Sequence, residues 1–154
     1  MPTNIPQPRN ESIKSRQAAV RLAWNKAFSK DKTAMFGKAQ TFVDSECIRL
    51  MVRYTPARNN ILYKTPTLGT KLGSGRIYYQ SPYARYQYYG FLMVSSVTGS
   101  PWAKNGESKV LTKRRLRYST ARHPQAQARW FEVMKTNHRD QIRRGAAAYT
   151  KRGR

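Results

Sequence analysis

The sequence predicts an α+β fold, because helical periodicity marks both ends of the chain while the middle alternates glycine turns with short β-favouring runs. A length of 154 residues suits one domain with one modest core. Residues 1–10 form an N-terminal arm, residues 11–150 the domain and residues 151–154 a basic tail. Three prolines among the first ten residues favour an extended, solvated arm that frays or reaches a neighbour.

The string ESIKSRQAAVRLAWNKAF over residues 11–28 is rich in helix formers, with Ala18, Leu22, Trp24 and Phe28 at helical spacings, and predicts a first helix. A second follows through AMFGKAQTFVDSECIRLMVRY, where Met35, Ala39, Phe42, Val43, Cys47, Leu50, Met51 and Tyr54 recur in steps of three and four. Tyr54-Thr55-Pro56 ends it, since the residue before proline is driven out of helical geometry. Turn signals at residues 56–60, Leu68-Gly69 and Gly73-Ser74-Gly75, with runs at 61–63 and 76–79, predict a β-hairpin or small meander. Ser81 as N-cap and Pro82 at N1 then start a two-turn helix carrying Tyr83, Tyr86, Tyr89 and Gly90 along one side. Residues 91–94 return to the sheet, 95–106 form a long loop containing Trp102, and 109–118 a strand with a basic face. Trp130, Met134, His138, Ile142, Ala146 and Tyr149 lie at steps of four and three and predict a long C-terminal amphipathic helix.

Thirty Lys and Arg against seven Asp and Glu leave the chain at +23. The excess is spread along the chain: fourteen basic and four acidic residues precede position 78, and sixteen and three follow. Charge at this density opposes compaction and calls for a polyanion or acidic neighbours. Nucleic acid, membrane headgroups and an acidic assembly would all serve. No apolar window reaches the roughly 18 residues of a membrane span, and no signal-peptide layout opens the chain. Membrane partners are not expected, and the chain reads as cytoplasmic where it is made. The lone Cys47 excludes an intrachain disulfide and, with only His123 and His138, gives no zinc cluster.

No catalytic, cofactor or metal site is expected, because the carboxylates Glu11, Asp31, Asp44, Glu46, Glu107, Glu132 and Asp140 are scattered. Asp44 and Glu46, two apart on a helix, do not face each other. His138 reads as a packed residue, and Cys47 as a small hydrophobe on the buried stripe. LGTKLGSGR hints at a phosphate cradle but fits neither GxxxxGK[ST] nor GxGxxG, and a turn explains it better. Lys113, Arg114, Arg115 and Arg117 form the densest cation cluster within a folded element. A strand would put Lys113, Arg115 and Arg117 on one face for phosphate contact, for solvent, or for acidic residues of another subunit. The tyrosines of YYQSPYARYQYY serve base stacking, core packing or subunit contact; contact suits them best, and Tyr83, Tyr86, Tyr89 and Trp102 are the interface candidates.

The ordered strings GKAQTFVDSECIRLMVRYTP, TPTLGTKL, GRIYYQSPYARYQYYGFLMV, TGSPWAKNG and HPQAQARWFEVMKTNHRDQIRRGAA resemble the minor capsid proteins of tailed bacteriophages, in the neck or tail-completion class. The matching positions are residues 37–40, 54–56, 67–72, 82–90 and 124–146. The turn Leu68-Gly69-Thr70-Lys71-Leu72 departs from a tighter Thr-Gly-x-Leu pattern. The resemblance implies no enzyme and no cofactor. It implies a homo-oligomeric ring of six subunits between portal assembly and tail, with neighbouring neck and tail proteins as partners and genomic DNA in the channel. It thus places the chain in the virion at the head–tail interface, after assembly in the host cytoplasm. Such a channel favours a positive lining without base readout, and Lys113, Arg114, Arg115 and Arg117 are the lining candidates. The alternative is a ribosomal or other structural RNA-binding protein, which composition favours but which lacks an RRM aromatic pair or a KH GXXG loop.

Overall fold

In the computed structural model, which describes residues 4–58 and 61–151, the fold is α+β: two small antiparallel sheets, short helices, and two long helices packed together. The basic tail falls outside the described residues except for Lys151, as do the first three residues of the arm and Asn59 and Asn60 of the predicted turn.

Helix α1 (Phe28–Met51) starts where Asn25 takes the backbone N–H of Ala27 on its side chain, at 2.9 Å. It carries Asp31 in its first turn and Arg49 in its last, the signs that the helix dipole favours. Ala39, Cys47, Leu50 and Met51 bury its apolar stripe. A turn of 3-10 helix (Val52–Tyr54) continues it to Thr55, whose ψ of 132° breaks the helix ahead of Pro56. The Thr55 hydroxyl donates back to the Met51 carbonyl at 2.9 Å.

α1 packs against the C-terminal helix α4 (Trp130–Lys151). Their close approach requires Gly145, where a Cβ would run into the Phe42 ring, itself 5.3 Å from Tyr149. α4 begins from Arg129 at φ 49°, a left-handed conformation that costs a non-glycine residue about 1–2 kcal/mol. The Arg129 N–H bonds to the Tyr88 carbonyl at 2.7 Å, and Trp130 is driven into the core beside Met51, Met134 and Leu50.

Between the long helices lie α2 (Thr65–Gly69) and α3 (Ala84–Tyr89). α3 ends at Gly90 with φ 77°, and a Cβ there would meet Ala128 at 3.0 Å and the Tyr118 hydroxyl at 3.1 Å. The two sheets are hairpins: β1 (Glu11–Lys14) with β2 (Ala19–Leu22), and β3 (Phe91–Ser95) with β4 (Lys109–Arg115).

Four expectations are corrected. Residues 11–28 do not form a helix; residues 11–22 are the β1–β2 hairpin, and α1 begins at Phe28, seven residues ahead of Met35. A helix at 100° per residue would throw Ile13, Val20 and Trp24 to the side opposite Ala18 and Leu22, leaving no single face to bury. The predicted strands at 61–63 and 76–79 are absent: Leu62–Lys64 is a 3-10 turn leading into α2, where Pro66 suits a helix start. Ile77 and Tyr79 instead pack on the core from an extended segment. Ser81 does not cap α3, whose N-cap is Tyr83 without a side-chain bond. Finally, the arm is not free: the Ile5 N–H bonds to the Thr33 hydroxyl at 3.1 Å, and Gln7 accepts from the Ser29 N–H at 3.0 Å.

Candidate functional site

Lys113, Arg114, Arg115 and Arg117 are all exposed. β4 delivers the first three, but not with simple alternation. Phe91 pairs with Arg115 and Met93 with Leu111, so two steps on β3 oppose four on β4. This irregularity lies between Leu111 and Arg115, and β4 ends at Arg115, so Lys113, Arg115 and Arg117 do not share one regular strand face as expected. The result is a short ridge of exposed cations.

The ridge is held firmly. The Arg115 guanidinium stacks 4.9 Å above the Phe91 ring. The Leu116 N–H bonds to the Gly90 carbonyl at 3.0 Å, and the Tyr118 hydroxyl donates to the Gln87 carbonyl. Burial raises the Tyr118 phenol pKa, so this hydroxyl keeps its proton and its role as donor. None of the four cations pairs with a carboxylate among the described residues, where the ion pairs are Arg49–Glu46 and Arg143–Asp140.

The aromatic candidates divide. Tyr83 is half-buried against the core. Tyr86 is half-buried, its phenol pKa raised by burial, and Lys109 lies 5.7 Å over its ring. Lys109 also donates to the Pro101 carbonyl, tying the long loop to α3. Tyr89 is half-exposed, edge-on to Tyr88. Trp102, 87% exposed, projects from the loop between β3 and β4. How that loop is ordered is not legible from its residues alone. The Ser95 hydroxyl donates to Glu107 at 2.6 Å and accepts the N–H groups of Val97 and Thr98.

The glycine-rich loop also has an occupant that sequence reasoning missed. Asp44 is buried, and one of its carboxylate oxygens accepts the N–H groups of Gly73 at 2.7 Å and Gly75 at 3.1 Å. Its other oxygen accepts from Gln40 at 2.7 Å. The loop that resembles a phosphate cradle closes on the chain's own carboxylate.

Comparison with protein-family models, curated proteins and solved structures gives no match.

Several of the remaining titratable groups have structural partners. Glu46 is held below its usual pKa by its hydrogen bond to Arg49. Glu132 accepts from the Tyr88 hydroxyl, and burial together with that carboxylate holds the Tyr88 phenol well above its ordinary range. His138 meets the Tyr54 hydroxyl at 3.1 Å, and His123 the Thr55 carbonyl at 2.6 Å. Burial pushes the Cys47 thiol up, and the charges of Asp44 and Glu46 add to it. Among the described residues no three His, Cys, Asp or Glu converge as a metal site, and no helix is long and apolar enough to cross a membrane.

Proposed function

We propose that the chain is a structural ring component of the tailed-bacteriophage neck, a head–tail connector or tail-completion protein, with residues 113–117 toward DNA in the axial channel. The observation that carries this reading is the ridge itself: four exposed cations on and just beyond β4, Arg115 stacked on Phe91, with no carboxylate partner among the described residues. A rigid cationic ridge without base-reading geometry suits a polyanion that slides past, because phosphates are presented alike at every step. The motif order along residues 37–148 supports the neck assignment specifically.

The test is the salt dependence of binding to duplexes of unrelated sequence. The chain should bind them equally. Replacing Lys113, Arg114, Arg115 and Arg117 together with Gln should lower the slope of log K against log salt by about 3–4, because each lost phosphate contact removes about 0.9. Preference for a structured RNA, with a slope untouched by the substitutions, would favour the ribosomal reading.

A further inference from the structure

The chain presents an exposed apolar sheet face and an apolar cavity whose floor belongs to the core and whose mouth opens beside Arg85. In the β1–β2 hairpin, the pairs Glu11–Leu22 and Ile13–Val20 share one face, while Ser12, Lys14, Ala19 and Arg21 share the other. All eight residues are exposed, Ile13 at 72% and Val20 at 68%. A lone two-stranded hairpin is marginal in water unless something packs on it.

This hairpin is nevertheless anchored at its root. Asn10 accepts the Trp24 N–H across its base at 2.8 Å. The preceding arm is bonded to the start of α1 through Ile5 and Gln7. At the tip, the Ser15 hydroxyl accepts the Ala18 N–H at 3.1 Å. The root is fixed while the apolar face stays bare.

The cavity, of about 420 Å³, is lined by Met51, Ile77, Tyr79, Ala84 and Trp130, with the exposed Arg85 beside them. Arg85 is the charged residue of this cavity and Glu11 that of the apolar hairpin face. Neither has an ion-pair partner among the described residues.

We propose that the apolar hairpin face of one copy seats in this cavity of the next, with Glu11 pairing with Arg85 across the interface. The proposal rests on the ring reading and names the contact that builds the ring. Donor and acceptor surfaces differ, so the contact is heterologous, and repetition about an axis closes it. Charge complementarity selects a second copy: one acidic group on the donor face meets one basic group at the acceptor, in a chain otherwise repelled from itself by its cations.

Sedimentation of the full chain over a concentration series tests it, at physiological ionic strength, where the Glu11–Arg85 pair is not screened away. The wild-type chain should associate. Val20→Asp, Glu11→Arg and Arg85→Glu should each weaken association about tenfold or more, as loss of an interface anchor does. Glu11→Arg combined with Arg85→Glu should restore most of the loss from either single change. All three positions are exposed, so thermal melting should stay unchanged and separate assembly from folding. Association indifferent to these variants would overturn the interface and leave the ring reading standing. A wild-type chain that never associates would overturn the interface as a self-sufficient contact, and the ring reading would then fall only if the chain is missing from the phage vertex.

Discussion

Replacing Trp130 with Ala is expected to lower the unfolding free energy by about 3–5 kcal/mol, the usual cost of deleting a large buried aromatic. Trp130 is 1% exposed, and its ring lies 4.9 Å from Tyr88 and 5.5 Å from Tyr79 in edge-on and tilted contacts. It therefore joins α4 to α3 and to the extended segment that follows α2. It also anchors the first turn of α4 directly after the left-handed backbone at Arg129. Because a domain of this size is stable by only about 5–15 kcal/mol, the variant should unfold at a much lower denaturant midpoint with an unchanged m-value. A midpoint shifted by less than 1 kcal/mol equivalent would show that the core is not organised around this ring.

Asp44→Ala is expected to cost about 2–3 kcal/mol. The change leaves the Gly73 and Gly75 N–H groups and the Gln40 amide without their acceptor, and each abandoned donor costs according to how far water can reach it. Gly75 is exposed and Gly73 half-buried, which holds the total below that of a fully enclosed site. Asp44→Asn keeps an acceptor oxygen and loses the charge, so it should fall between Ala and wild type. Hydrogen exchange at the two glycine amides is the direct readout. Both should speed up in Asp44→Ala, and unchanged rates would mean the loop is held by something else.

The long helices were legible in the sequence because each buries one stripe against the other, and that stripe is written at steps of three and four from Ala39 to Tyr54 and from Trp130 to Ile142. The β3–β4 hairpin was legible through its flanks, where Gly90 stops α3 and the loop holding Gly99, Pro101 and Gly106 separates two strand-like runs. The β1–β2 hairpin was not. Its residues are good helix formers, and Ala18 and Leu22 fall one helical turn apart by coincidence, while the pairing of Ile13 with Val20 depends on a turn at Ser15 that local propensity does not encode. At the candidate site, the four cations were visible as a cluster, but the register shift beneath them depends on pairing with β3 and leaves no mark in β4 itself. The glycine loop is a turn, as its spacing suggested, but its anion partner was not legible: its N–H groups gather the carboxylate of Asp44, twenty-nine residues upstream of Gly73.

The proposed place of this chain, a neck ring around DNA, is decided by gold-labelled antibody against it, applied to nuclease-treated, gradient-purified phage particles and to ribosomes from the same cells. A neck ring predicts label confined to the vertex where head meets tail, with none on the ribosome fraction. Label that follows the ribosomes and leaves the vertex bare would contradict it, and would assign the +23 charge to structured RNA.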